Sequence, residues 1–295
     1  MSTELHCHSM FSVDGYKTPE ELVDLAVAEG IRTFSITDHN HLGGQERAMR
    51  TAADRGLDYI TGVEMDCIWK GKQYHFLCYG FDLEDAAMVD ITSANSDVYV
   101  RDFEVQWKRI EARAPGITLD DLRERLPERY PTHPSPELNR WSAQDLFIEK
   151  GIVANEVEYQ DFWVSIIAET EASGDAESVP SWASYESVRD AVHAAGGLVL
   201  LAHVGYYVGP QIGGDPDAQL ETIHGALEDG CDGFELYHPA LMAEPHFGEL
   251  EREAERLDCA VSGGSDRHTG VRGVAPDWVA ESLRERLCQQ GQETA

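Results

Sequence analysis

Lysine is scarce in this chain. Only five occur among 295 residues, at Lys17, Lys70, Lys72, Lys108 and Lys150. Lys and Arg total 23 against 54 Asp and Glu, giving a net charge of −31. A surface this negative repels polyphosphate backbones, which need a basic track, and so argues against duplex nucleic acid as a partner. An acid-rich, lysine-poor surface also suits a high-salt cytoplasm. No run of 18 apolar residues is present, so no membrane-spanning helix is expected. The N-terminus has no basic segment followed by an apolar one, so it does not read as a secretory signal. No Cys-x-x-Cys spacing occurs either. The six cysteines are Cys7, Cys67, Cys78, Cys231, Cys259 and Cys288. Five lie in or beside apolar runs and read as reduced, mostly buried thiols of a cytoplasmic protein.

What is present is enough for one large α/β domain with an insertion, or for two domains. The organising stretch is Thr3-Glu4-Leu5-His6-Cys7-His8. In an extended strand, side chains alternate faces, so His6 and His8 share one face and Cys7 takes the other. Two imidazoles so spaced at a strand end form a pincer for a metal ion.

The chain then reads as alternating strands and helices. Thr18-Pro19-Glu20-Glu21 is a helix start, with a threonine cap, proline in first place and glutamate in third. A strand over 31–37 ends in Asp38-His39-Asn40, and a helix spans 45–55. A strand over 57–63 ends at Glu64. Residues 64–68 and 73–79 form a hairpin that brings His75 close to Glu64 across the ladder. From 83 to 179 the character is helical, with segments at 98–113, 119–126, 142–149 and 156–169. A Pro-rich link covers 127–136 and a polar link covers 173–178. Alternation resumes with strands ending near His203, at 233–237 and at 259–262, the last leading into Gly263-Gly264-Ser265-Asp266-Arg267-His268. A last helix spans about 276–287, before a frayed polar tail.

Seven strand-like segments alternating mostly with helices suggest a barrel or a nearly closed parallel sheet, whose function collects at the strands' carboxyl ends. The polar residues there are His6, His8, Asp38, His39, Glu64, His203, Glu235, Asp266 and His268. That set is too rich in N and O donors for one ion.

The pattern His6-x-His8, Asp14, Thr37-Asp38-His39, Gly62-Val63-Glu64, His75, Ala202-His203 and Gly264-Ser265-Asp266-x-His268 resembles the PHP (polymerase and histidinol phosphatase) family. The resemblance covers residues 1–82 and 183–275 in order. It implies an α/β fold, a distorted (β/α)7 barrel formed by 1–82 and 180–295, with a helical cap inserted at 83–179. It also implies three divalent ions, Mn, Zn or Fe. One would take His6, His8, Glu64 and Asp266. A second would take Glu64, His75 and His203. A third would take Asp14, His39 and His268. Glu64 would bridge, and together with Asp266 would hold the hydroxide that acts as nucleophile. A bridging carboxylate sets two cations about 3.5–4 Å apart, as phosphoester hydrolysis requires. Asp38 and Glu235 would orient histidine ligands.

Asp14, where several branches of the family have histidine, resembles the branch of nucleoside 3′,5′-bisphosphate phosphatases and a 5′→3′ exoribonuclease of short RNA. Leu138-Asn139-Arg140-Trp141 resembles that branch's substrate cap, with Arg140 clamping a phosphate. Asn40, Val204 and Tyr206 depart from its pattern. The expected reaction takes a nucleoside 3′,5′-bisphosphate to the 5′-monophosphate and phosphate. Short single-stranded RNA is at most a second substrate. Histidinol-phosphate phosphatase, or a metal- and nucleotide-binding module without turnover, are the rival readings.

Overall fold

The computed structural model describes residues 2–130, 132–134, 136–175, 179 and 181–293. Parts of the expected links at 127–136 and 173–178, and the last two residues of the tail, lie outside these. The chain divides into two compact units, Met1–Ser93 with Trp182–Ala295, and Ala94–Ser181.

In the first unit, β1 (Thr3–Glu4), α1 (Pro19–Ala28), β2 (Thr33–Phe34), α2 (Gln45–Arg55) and β3 (Asp58–Tyr59) follow in order. The three strands form a parallel sheet in that sequence. Thr18 caps α1 with a reciprocal bond to Glu21, and Pro19 opens the helix. The cap satisfies two backbone N–H groups that a helix start leaves open. Leu22, Val23 and Ala26 of α1 pack with Ala48 and Ala52 of α2 and with Phe34 in one apolar cluster.

A second, five-stranded sheet runs β4 (Gly62–Trp69), β5 (Lys72–Tyr79), β6 (Leu198–Leu201), β7 (Gly233–Tyr237) and β8 (Ala260–Gly263). β5 is antiparallel to both neighbours, and β6, β7 and β8 are parallel. The architecture is therefore α/β with one parallel and one mixed sheet. The expected strand 57–63 is in fact two. Asp58–Tyr59 pairs with β2, whereas Gly62 starts β4 and pairs with Tyr79. Gly62 passes so close to β2 that a Cβ there would lie 2.3 Å from Ser35 Oγ. Lys70 and Gly71 make the two-residue hairpin turn with φ of 48° and 75°, the pairing that matches strand twist. Eight strands are present among the described residues.

In the second unit lie most of α3 (Ala86–Arg113), then α4 (Leu119–Arg129), α5 (Arg140–Glu149) and α6 (Glu156–Ser173). α3 begins twelve residues before the expected 98, because Asp85 Oδ1 accepts from the amides of Ala87 and Met88 and caps it there. The tryptophans Trp107 and Trp163 are core, packed with Phe103, Phe147 and Tyr159.

The first unit closes with α7 (Tyr185–Ala194), α8 (Pro216–Glu228), α9 (Pro239–Met242), α10 (Phe247–Leu257) and α11 (Asp277–Glu293). α11 extends past the expected end of the last helix at 287. All four residues of β6, Leu-Val-Leu-Leu, are buried, each side chain worth about 1.5–3 kcal/mol relative to exposure. No helix among the described residues is long and apolar enough to cross a membrane. All six cysteines are unpaired, and four are buried.

Candidate metal centre

Residues that follow β1, β2, β6 and β8 converge on Glu64 near the start of β4, His75 within β5 and Glu235 within β7. His6 and His8 follow β1, with their rings 5.3 Å apart, while Cys7 points into the opposite apolar cluster. Gly264 lets the last strand's loop approach: a Cβ there would meet His6 N at 2.2 Å. Two single-residue parallel bridges occur here, Cys7 with Arg267 and His39 with Glu64.

Glu64 sits at the middle, 1% exposed. Its Oε2 lies 3.1 Å from His6 Nε2, 3.4 Å from His8 Nε2 and 3.5 Å from His39 Nδ1. Its Oε1 lies 2.9 Å from His75 Nδ1 and 3.0 Å from His203 Nε2. Those two nitrogens are 3.2 Å apart. Asp266 Oδ1 faces His8 at 3.1 Å and His6 at 3.5 Å. Asp14 Oδ2 faces His268 at 3.2 Å and His39 at 3.5 Å. Donor atoms on one cation at about 2.1 Å stand roughly 3.0–3.4 Å apart, so these separations fit cation sites. The buried His39 Nδ1 has no hydrogen-bond partner, as a free ligand atom would.

The donors fall into three groups: His6, His8, Glu64 and Asp266; His8, Asp14, His39 and His268; and His39, Glu64 and His75. The first matches the expected set. The second adds His8 to the expected one. The third has His39 where His203 was expected, although His203 forms the short triangle with His75 and Glu64.

Electrostatics keep the carboxylates charged. Burial alone would raise Glu64, but His39, His6 and His75 hold it well below the ordinary range. Asp266 is likewise held down, against burial, chiefly by His6. Burial lowers His8 to about 4, leaving its lone pair free for a cation. Burial also opposes protonation of His268, yet Asp14 raises it to about 9.

Glu235 lies beside two of these histidines. Its Oε1 lies 2.9 Å from His6 Nδ1, and its Oε2 accepts from the His203 amide at 2.9 Å. Asp38 does not orient an imidazole. It accepts from the amide and hydroxyl of Ser9, at 2.6 and 2.7 Å, and so fixes the loop after His8. His75 faces Asp66, not Glu64, directly across the hairpin, and reaches Glu64 on the diagonal. Arg140 belongs to the second unit, where its guanidinium stacks 3.9 Å from the Trp141 ring centroid and its carbonyl accepts from Tyr159.

Several functional residues escaped sequence reasoning. Asp66 Oδ1 lies 3.0 Å from His75 Nε2 and orients that ring. Asn40 donates to Asp66 at 2.6 Å and accepts from its amide at 3.0 Å, which accounts for an amide where the family often has a carboxylate. Glu4, fully buried, accepts from the amides of His6, Ser265 and Arg272. Strand alternation held the signal: Glu4 shares a face with His6 and His8, and Asp66 shares one with Glu64. Asn40, His203, Tyr207 and Asp266 all have positive φ, between 26° and 63°. Such strain in non-glycine residues collects at functional sites.

A family model described as PHP domain matches residues 4–209. A 5′-3′ exoribonuclease of Haemophilus influenzae is 28% identical over 270 residues, 90% of this chain and 89% of that protein. A 3′,5′-nucleoside bisphosphate phosphatase of Chromobacterium violaceum is 36% identical over 85 residues, 29% of this chain and 30% of that one. The crystal structure of a proposed metal-dependent phosphoesterase of Bifidobacterium adolescentis superposes with a TM-score of 0.73 at 25% identity, covering 97% of this chain and 95% of that one.

Proposed function

The chain belongs to the PHP domain family, and from that premise we propose that its substrate is a small phosphorylated nucleotide. It is a metal-dependent phosphoesterase of that family. The reaction proposed is removal of the 3′-phosphate from a nucleoside 3′,5′-bisphosphate, with short RNA 5′ ends as a second substrate. Both classes appear in the names of its relatives.

One observation carries the reading. The two oxygens of Glu64 face different donor groups, Oε2 toward His6, His8 and His39, and Oε1 toward His75 and His203. That is the layout of a bridging carboxylate. His6, His8, Glu64 and Asp266 would hold one divalent ion, Glu64, His75 and His203 a second, and Asp14, His39 and His268 a third. Bound ions supply an activated water and neutralise charge on the phosphoryl oxygens. Glu235 and Asp66 hold His6 and His75 in ligating orientation. Mixed imidazole and carboxylate donors suit Mn, Zn or Fe(II). Arg140 is proposed as a phosphate contact, since its planar fork matches phosphate oxygens. We take the two sheets as parts of one distorted barrel, with the Cys7–Arg267 and His39–Glu64 bridges supporting its closure. The negative charge of the chain favours small or short substrates captured locally by ions.

The test is hydrolysis with Mn, Zn and Fe(II), read as phosphate release from 3′,5′-nucleoside bisphosphates and histidinol phosphate and as mononucleotide release from 5′-phosphorylated short RNA. Preferred turnover of the bisphosphate supports the proposal. Preferred turnover of histidinol phosphate replaces it. Metal-loaded protein that hydrolyses none of them reduces the chain to a binding module.

A further inference from the structure

β7 supplies none of the proposed ligands, yet its end supports several of them. Glu235 holds His6 and the His203 backbone. One residue past β7 is His238, only 1% exposed and outside every donor group above. Its Nδ1 accepts from the Ala240 amide at 3.2 Å, capping the short helix that follows. A backbone amide can only donate, so the ring hydrogen must sit on Nε2. That Nε2–H is buried without a hydrogen-bond partner. Its facing acceptor is Asp266 Oδ2, at 3.6 Å, too long for a hydrogen bond.

Asp266 therefore divides its oxygens. Oδ1 faces His8 and His6, while Oδ2 faces His238. Asp266 also has a φ of 51°, a backbone conformation that needs support from its surroundings. A buried donor left unpaired is costly, so the pair gains by closing.

We infer that His238 is a positioning residue that donates from Nε2 to Asp266 Oδ2 and fixes Asp266 as a one-oxygen ligand through Oδ1. The inference rests on the metal-centre reading above, but not on the identity of the substrate. Its chemistry is that of an outer partner to a ligating carboxylate, whose loss typically weakens metal affinity about 10–100-fold.

Two variants separate this role from simple capping. His238→Asn keeps an acceptor for the Ala240 amide and loses the donor at the Nε2 position. His238→Gln loses the cap acceptor and returns an N–H near Nε2. The probe is Mn(II), titrated into chelator-treated protein and followed by the resonance signal of the free ion. Melting of the metal-free protein is measured alongside. The expected result is that His238→Asn melts like wild type when metal-free but binds at least one Mn(II) about 10–100-fold more weakly, and that His238→Gln recovers most of that loss. Unchanged Mn(II) affinity in His238→Asn, or equal loss in both variants, overturns the inference. So does a His238→Asn protein that already melts early without metal while His238→Gln binds Mn(II) no better. Wild-type protein that binds Mn(II) but hydrolyses no phosphoester would end the substrate proposal and leave this one standing.

Discussion

Replacing Glu64 with glutamine keeps the side chain's shape and removes its charge. Five imidazole nitrogens lie within 3.5 Å of the carboxylate, three at Oε2 and two at Oε1. An amide can offer an oxygen to only one of those sides. The other side would face an NH2 group, which cannot ligate. Removing one member of a buried, paired charge set costs about 3–5 kcal/mol. At about 1.4 kcal/mol per factor of ten, that is roughly two to four orders of magnitude in an equilibrium or rate constant. Glu64→Gln should therefore lose the ions it shares, measured as metal per chain by elemental mass spectrometry after gel filtration. Phosphate release should fall about 10²–10⁴-fold. A variant that keeps its full metal content and more than a tenth of wild-type turnover would refute the bridging role.

Four further outcomes can be measured. In metal-free protein, and against the pull of burial, His6 is raised by Glu235 and Glu64, His75 by Glu64 and Asp66, and His268 to about 9 by Asp14. Metal binding at neutral pH must then release protons, so its calorimetric enthalpy should change with the ionisation enthalpy of the buffer; a buffer-independent heat would contradict this. The Asp14–His268 pair should stabilise metal-free protein fully between pH about 4 and about 6.5, the ordinary aspartate and histidine values, and fade as pH rises through about 9, read as a falling melting temperature; a stability that rises from pH about 6.5 to 9 would count against it. Asp66→Asn weakens the acceptor that orients His75, and should lower metal affinity about 10–100-fold with little change in metal-free melting; wild-type affinity would exclude the orienting role. Arg140→Ala should raise KM for the phosphorylated substrate at unchanged metal content, whereas equal metal loss would assign Arg140 to the fold.

The sequence revealed residues that act through a local pattern. His6 and His8 stand two apart on a strand, and Gly264-Ser265-Asp266-x-His268 is a compact motif. Thr18 and Glu21 announced α1 because a capping box is contained in four residues. What it concealed depends on distant neighbours. Nothing local in Leu57–Val63 says that Asp58–Tyr59 will pair with β2 and Gly62 with Tyr79, because strand partners are chosen by packing rather than by intrinsic preference. The early start of α3 was missed because Asp85 resembles any loop aspartate until its amide partners are known. Asp38 shows the same limit: the family pattern implied an imidazole partner, while the folded chain gives it the amide and hydroxyl of Ser9. Asp66 and Glu4 lay within reach of the period-two rule, and His238 did not, since its partner Asp266 is on another strand's loop.

The most direct measurement is anomalous X-ray diffraction from crystals of Mn-loaded protein. Peaks among His6, His8, Glu64 and Asp266, among Glu64, His75 and His203, and among Asp14, His39 and His268, with Glu64 between the first two, are the predicted result. A loaded protein with no peak beside Glu64, or with its ions bound elsewhere on the acidic surface, would contradict the account.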